Sequence, residues 1–217
     1  MKNQKTKKFL TGTILLAAFA LWTAAVCHVD VQAIGPNGST VGLSTMNRLF
    51  HRLTGVHLFL YTLTDWLSLI PLALAAGFAI FGLAQWFQRR NLLNVDRDIL
   101  ILGLFYLVVI AAYMLFECAA VNSRPVLING VLEASYPSST TMLVLCIMST
   151  SRLQLKARIE HGICRRWILL FISAFAAFMV IGRLVSGVHW LSDIIGGALL
   201  SAGLVRLYEA FSGLPDM

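Results

Sequence analysis

Charged residues are scarce in this sequence of 217 amino acids: Asp, Glu, Lys and Arg make up 12% of it, whereas 58% of the residues are hydrophobic. Soluble domains carry about 25% charged residues, so this composition excludes a water-soluble domain and points to lipid as the solvent. Cysteine is also rare, with four residues and no CxxC pair. That absence argues against a zinc site and against a disulfide framework.

The sequence consists largely of long runs of apolar residues. A helix that crosses a bilayer needs about 20 predominantly apolar residues, and six runs come close to that length. They cover residues 9–27, 66–87, 99–120, 141–155, 167–181 and 194–211. We therefore predict an all-α, polytopic membrane protein with a bundle of about six transmembrane helices. One membrane-embedded domain would cover residues 1–217, with the first spanning helix in 1–27 and an outer loop in 28–64.

The basic residues predict the orientation. Of the 17 Lys and Arg residues, 13 lie before the first run, between the second and third, from Arg152 near the end of the fourth run to the start of the fifth, or, in the case of Arg206, near the carboxyl terminus. By the positive-inside rule these segments face the cytoplasm, so both termini should be cytoplasmic. Short basic clusters between apolar runs are typical of membrane topology, and we expect no nucleic-acid partner despite a net charge of +7.

Two segments are ambiguous. Residues 46–60 mix apolar side chains with Arg48, His51, Arg52 and His57, which is compatible with a surface loop or with an amphipathic helix at the interface. The fourth run is short and polar at its centre, so it must extend towards Pro137 or beyond Lys156 to cross the membrane.

Three polar clusters follow or precede apolar runs on the predicted outer side, at residues 122–125, 136–141 and 182–193. In the third, His189 and Asp193 are four residues apart and share one face if the segment is helical. The carboxylate can then hold one imidazole nitrogen and leave the other free as a nucleophile or base. Arg183 can return to the same pocket, and its planar fork of donors suits a phosphoryl group.

These residues resemble the signatures of the type 2 phosphatidic acid phosphatase superfamily. Arg183, His189 and Asp193 match the third signature in identity and spacing, Arg124 and Pro125 match the end of the first, and Pro137 and Ser138 match the start of the second. The resemblance covers residues 65 to 211. It implies that His189 is the nucleophile that forms a phosphohistidine and that Asp193 orients it. It further implies phosphate binding by Arg124, Arg183, Ser138 and Ser139, without a metal or other cofactor.

Four positions depart from the family pattern, the first being Ser139, which stands where the second signature has glycine. Gly182 replaces the leading serine of the third signature, Glu117 replaces the lysine of the first, and Thr140 replaces the histidine that protonates the leaving oxygen. Glu133, Tyr136 and Glu117 are possible alternative acids. A pyrophosphate would need an acid least, because its leaving group is already stable as an anion.

The resemblance implies hydrolysis of a lipid phosphate or pyrophosphate at the outer membrane face. Undecaprenyl pyrophosphate, phosphatidylglycerol phosphate and phosphatidic acid all fit as substrates, and membrane lipids are the expected partners. Two alternatives remain open: a lipid phosphotransferase, and a catalytically silent lipid-binding or scaffold protein.

Overall fold

The computed structural model describes residues 2–214, which form a helical bundle. Its eight α-helices are α1 (Lys2–His28), α2 (Ser44–Thr54), α3 (Leu58–Leu67), α4 (Leu69–Arg89), α5 (Arg97–Ala119), α6 (Ser139–Arg158), α7 (Ile163–Val185) and α8 (Leu191–Ser212). Two strands of two residues each, β1 (Gln32–Ala33) and β2 (Thr40–Val41), pair antiparallel between α1 and α2. The prediction of an all-α membrane bundle is confirmed.

Five stretches within residues 2–214 are long and apolar enough to cross a membrane. Four of them are α1, α5, α7 and α8, and the fifth joins α3 and α4 into 32 residues, Leu58–Arg89. The junction lies at Ser68, three residues before Pro71, whose missing N–H removes one helical hydrogen bond. Together with α6, this agrees with the predicted layout of about six spans.

The helix α6 is polar because it is surrounded by protein. It packs against α4, α7 and α8, and the Thr150 hydroxyl donates to the Cys146 carbonyl at 2.8 Å. Gln154 is fully buried and donates to the hydroxyl of Tyr208 at 2.5 Å. Its 20 residues give a length of about 30 Å, the thickness of a hydrocarbon core. As expected, the helix gains length at both ends of the predicted run.

Small residues bring α8 against its neighbours. A Cβ atom on Gly203 would lie 2.7 Å from Leu16 of α1, and one on Gly196 would lie 2.6 Å from the ring of Tyr136. Only glycine allows these approaches, in line with the small-residue contacts typical of membrane helices. The result is a tightly packed α8 whose first turn is held in place beside the segment that precedes α6.

The predicted outer loop of residues 28–64 is wrong in its extent. Residues 44–54 form the amphipathic helix α2, with Leu49 and Leu53 exposed and Asn47 buried. Helix α3 then begins at Leu58, eight residues before the predicted span. The apolar side chains of α3 and α4 form one apolar stretch, Leu58–Arg89. Asp65 interrupts that stretch in the sequence but does not end helix α3.

Candidate active site

The three polar clusters meet at one end of the bundle. Ser138, directly before α6, donates its backbone N–H to the carbonyl of Asp193 in α8 at 3.0 Å. The side-chain amide of Asn122, after α5, reaches the carboxylate of the same Asp193 at 3.4 Å. A cavity of about 250 Å³ lies beside them and is lined by Arg124, Ser139 and His189, among others. Arg183 is adjacent to it through Thr140.

A hairpin between α5 and α6 supplies part of the site. Residues 123 and 134 pair antiparallel, as do residues 128 and 131, with Asn129 and Gly130 at positive φ between them. Asn-Gly is the preferred dipeptide for such a turn, because both residues tolerate positive φ. The hairpin places Arg124 opposite Glu133, and it places Ser135 beside Asn122, whose carbonyl accepts the Ser135 N–H at 2.8 Å.

His189 contacts Asp193 through a third residue. The imidazole Nδ1 lies 3.9 Å from the Asp193 carboxylate, which is too long for a hydrogen bond. Ser135 stands between them: its Oγ lies 3.0 Å from His189 Nδ1 and donates to Asp193 Oδ2 at 2.5 Å. All three residues are at most 4% exposed.

The other imidazole nitrogen, Nε2, is buried and has no hydrogen-bond partner within residues 2–214. Burial, and then the nearby charge of Arg124, lower the pKa of His189 below its ordinary value of 6.5, although the charge of Asp193 opposes them. The neutral imidazole therefore dominates at neutral pH and offers Nε2 as a lone-pair donor in the wall of the cavity.

Asp193 is a fully buried acceptor for several donors. Its Oδ2 accepts the backbone N–H of Trp190 at 2.9 Å as well as the Ser135 hydroxyl, and its Oδ1 accepts the Ser192 hydroxyl at 3.3 Å. The contact with the Trp190 N–H is local in sequence, because Asp193 is the third residue of α8 and a carboxylate at that position caps the start of a helix. Hydrogen bonds of this number stabilise a buried carboxylate without a direct cation.

Both predicted phosphate-binding arginines already hold a carboxylate. Arg183 is 2% exposed and its Nη2 donates to Asp65 at 2.7 Å and to the Thr140 hydroxyl at 2.8 Å. Arg124 lies 3.1 Å from Glu133 through Nε. The ring of Tyr61 is within 4.9 Å of the Arg183 guanidinium and 5.8 Å of that of Arg124, distances typical of cation–π contacts.

Free donors remain on both arginines. Within residues 2–214, Nε and Nη1 of Arg183 and Nη1 of Arg124 are buried and have no hydrogen-bond partner. Buried guanidinium donors without acceptors are costly, and planar guanidinium groups suit the oxygens of a phosphoryl group.

The predicted serines differ in position. Ser139 lines the cavity at the first turn of α6, where unpaired backbone N–H groups favour an anion. Ser138 is fully buried, and its hydroxyl accepts the N–H of Thr141 at 3.4 Å. Its side chain therefore caps α6, so that its contribution to an anion site comes through the helix start.

The three predicted acids all line the cavity, with different partners. Glu133 is paired with Arg124. The hydroxyl of Tyr136 is 2.8 Å from the Thr23 hydroxyl, and burial raises the pKa of Tyr136 to about 12, which makes it a weaker acid. Glu117 is exposed, and its carboxylate has no ion-pair partner among the described residues.

Sequence reasoning missed Ser135, Tyr61 and Asp65. The Asn129-Gly130 dipeptide is the signal that could have predicted the hairpin and with it the position of Ser135. Asp65 could have been noticed as a carboxylate within an apolar run, since such residues pair with a partner. Within residues 2–214, no group of three His, Cys, Asp or Glu side chains is arranged to hold a metal ion.

Comparisons with known proteins agree with this geometry. The family model of the PAP2 superfamily matches residues 71–212. The fold is similar to the crystal structure of the first transmembrane PAP2-type phosphatidylglycerolphosphate phosphatase from Bacillus subtilis, with a TM-score of 0.58 and 18% identity over 92% of this chain and 93% of that one. A comparison with curated proteins finds no match. With most of its length matched by the family model, the chain belongs to the PAP2 superfamily.

Proposed function

We propose that this membrane phosphatase hydrolyses a lipid phosphate or pyrophosphate at the extracytoplasmic face through a phosphohistidine at His189. The observation that carries the proposal is the buried, unpartnered Nε2 of His189 in a cavity that also holds Arg124. Its lone pair attacks the terminal phosphorus, and the P–O bond to the leaving group breaks. The electron pair leaves with the lipid oxygen of a monophosphate, or with the bridging oxygen of a pyrophosphate, which departs as lipid phosphate. Water then cleaves the N–P bond and releases phosphate.

Charge on the phosphoryl oxygens would be stabilised by the free donors of Arg124 and Arg183 and by the first backbone N–H groups of α6. Because these donors are already oriented by Glu133, Asp65, Thr140 and Tyr61, they need little reorganisation when the substrate binds. The PAP2 family membership supports the same route.

We infer that a pyrophosphate is the preferred substrate class. Thr140, in place of the family's acid, accepts a hydrogen bond from Arg183. Glu133 is held by Arg124 and Tyr136 by Thr23, which leaves the exposed Glu117 as the one predicted acid of the cavity without such a partner among the described residues. A pyrophosphate expels a phosphate ester whose conjugate acid is much stronger, and it loses little without a proton donor. Wild-type kcat on undecaprenyl pyrophosphate should therefore exceed kcat on undecaprenyl phosphate.

The test is phosphate release by the purified protein in detergent on undecaprenyl pyrophosphate, undecaprenyl phosphate, phosphatidylglycerol phosphate and phosphatidic acid. We expect His189→Ala to abolish release, with a loss of at least about 1,000-fold. Thr140→Ala removes one hydrogen bond from Arg183 and should cost about 10-fold. Activity of His189→Ala within a few-fold of wild type would overturn the mechanism.

The same assay separates the alternatives. Wild-type protein pulsed with 32P-labelled substrate should carry an acid-labile label that is absent from His189→Ala. An added lipid alcohol that takes up the label would identify a phosphotransferase. Lipid binding with no turnover of any of these substrates would identify a silent lipid-binding protein and would refute the proposed function.

A further inference from the structure

We propose that Ser135 is a positioning residue that joins His189 to Asp193 and fixes the imidazole in the tautomer that the nucleophile requires. The inference rests on the proposed function. Its starting point is the 3.9 Å separation of His189 Nδ1 from Asp193 Oδ2, with the Ser135 hydroxyl between them at 3.0 Å and 2.5 Å. His189 and Asp193 are therefore linked by hydrogen bonds through the Ser135 hydroxyl.

The direction of each hydrogen bond follows from the chemistry of the three groups. A carboxylate only accepts, so the Ser135 hydroxyl must donate its one hydrogen to Asp193. The Ser135 oxygen can then only accept from the imidazole, which places the ring proton on His189 Nδ1. A neutral imidazole has one N–H, and Nε2 is left with its lone pair.

Ser135 is the only donor to Asp193, among the contacts described above, that also contacts the imidazole. Trp190, Ser192 and Asn122 approach the carboxylate from other sides. They hold Asp193 in place, whereas the Ser135 hydroxyl links the negative charge of Asp193 to the imidazole by hydrogen bonds. The Ser135 side chain needs a fixed position to make both hydrogen bonds.

The hairpin supplies that fixed position. The Ser135 N–H donates to the carbonyl of Asn122, the neighbouring residues 123 and 134 pair, and Ser135 is 3% exposed. Small rotations of the imidazole are therefore resisted from the Nδ1 side while Nε2 faces the cavity. An oriented ring reduces the entropy that must be lost on the way to in-line attack.

The arrangement also suits the intermediate. When Nε2 bonds to the terminal phosphorus of a lipid pyrophosphate, the ring keeps its Nδ1 proton and becomes cationic, while the electron pair of the broken P–O bond leaves with the bridging oxygen of the lipid phosphate. No proton has to move through Ser135. Asp193 stabilises the positive ring through the polarised Ser135 hydroxyl. When water removes the phosphoryl group, the ring returns to its neutral form.

The decisive variant is Ser135→Ala, assayed on undecaprenyl pyrophosphate. We expect kcat to fall about 10- to 100-fold, as for loss of a hydrogen bond to a charged group, with KM within about threefold because the phosphate-binding donors are untouched. Ser201→Ala is the matched control. The buried hydroxyl of Ser201 in α8 donates to the carbonyls of Gly197 and Met142, and kcat of the alanine variant should stay within about twofold of wild type.

A double-mutant cycle tests whether Ser135 acts through Asp193. If it does, Ser135→Ala should add little to the loss caused by Asp193→Asn, because the second change removes the group to which the hydroxyl connects. Additive losses, or a kcat of Ser135→Ala within twofold of wild type, would overturn the inference. Absence of turnover by the wild type is a different result, which would refute the proposed function itself.

Two further variants separate hydrogen bonding from packing. Ser135→Thr keeps the hydroxyl and should recover most of kcat. Ser135→Cys is close to serine in size but carries a weak donor and acceptor, so it should remain nearly as slow as Ser135→Ala. Equal activity of the threonine and alanine variants, with thermal unfolding temperatures like that of the wild type, would assign Ser135 a purely structural role.

Discussion

Each nitrogen of the His189 ring has its own environment, and the two environments serve different purposes. Nδ1 faces the Ser135 hydroxyl, and Nε2 faces the cavity without a partner. Burial disfavours the imidazolium because the charged ring would lose its hydration. The histidine is therefore kept neutral by its surroundings, and its reactivity depends on that neutrality.

A pH dependence follows from the lowered pKa of His189. Protonation of Nε2 removes the nucleophile, so activity is lost as the pH falls through the folded-state pKa. Since that pKa lies below the ordinary value of 6.5, the acid limb of kcat/KM should have its midpoint below pH 6.5. The measurement is kcat/KM from pH 4.5 to 8, which reports groups of the free enzyme. A midpoint above 7 would contradict the described burial.

Tyr61 supports both arginines through its ring. Replacing it with leucine keeps an apolar side chain but removes the cation–π contacts, each worth about 0.5–2 kcal/mol. We expect Tyr61→Leu to raise KM for lipid pyrophosphate about 3- to 30-fold. Tyr61→Phe keeps the ring and is the control, with KM near that of the wild type. Equal KM values for the two variants would exclude the role of the ring.

Sequence reasoning identified residues of the candidate site better than it predicted which of them are in contact. Asp193 lies in α8 and His189 in the turn before it, yet spacing alone predicted that the two lie close together, because residues four apart on a helix share a face. It also predicted a direct His189–Asp193 contact, and the 3.9 Å separation is a difference from that expectation. The inserted Ser135 comes from a hairpin with no helical periodicity, so no spacing rule places it there.

At the scale of elements, the turn between α7 and α8 carries His189 and is packed against the start of α3. Gly187 has a φ of +69°, and a Cβ atom on it would lie 1.9 Å from the carbonyl oxygen of Gly55. The ring of His51 in α2 also contacts the Gly187 carbonyl at 3.1 Å. Helix α2 is thus fixed to the active-site turn by backbone contacts.

Substitution at this turn should be severe. Gly187→Ala combines positive φ with a clash against backbone, so the turn must move and His189 with it. We expect a lower unfolding temperature and a loss of kcat of at least about 10-fold. Gly77→Ala in α4 is the control, since no atom lies within 4 Å of its added Cβ atom. That variant should match or slightly exceed wild-type stability, measured as thermal unfolding in detergent.

Hydropathy is a weak guide to helices where it diverges from burial. The run at 141–155 was predicted as a span that must extend to cross the membrane, and α6 does extend it. The polar groups that made the run look short, such as those of Thr150 and Gln154, bond within the protein. Conversely, α3 was assigned to a loop since Asp65 breaks its apolar run, yet that carboxylate is the partner of Arg183. Tertiary contacts explain both cases, and a hydropathy pattern does not contain them.

On the scale of the whole molecule, charge asymmetry predicts which end of the bundle faces outwards. The active-site end carries few basic residues apart from the two arginines of the site, whereas Arg152, Arg158, Arg165 and Arg166 lie at or near the α6–α7 connection. We propose that the cavity opens to the extracytoplasmic side, where it would meet outer-leaflet lipid.

Cysteine labelling tests this topology. In a background with the four native cysteines replaced, Asn129→Cys in the exposed hairpin turn should react with a membrane-impermeant thiol reagent added to intact cells. Glu160→Cys, also exposed but between α6 and α7, should react only after the membrane is permeabilised. The reverse pattern would place the active site in the cytoplasm and would exclude outer-leaflet substrates.

The two carboxylates that hold the arginines have a consequence for product release. Asp65 and Glu133 are 58% and 39% exposed, and each offsets part of the charge of its arginine while other donors of that arginine stay open to a phosphoryl group. Free phosphate therefore meets arginines whose charge is already partly neutralised, and it has no lipid tail to add affinity. Turnover should therefore show weak inhibition by inorganic phosphate. Asp65→Asn removes one of these negative charges and should lower the inhibition constant of phosphate about 3- to 10-fold. The wild-type carboxylate thus helps the product phosphate to leave the site between catalytic cycles.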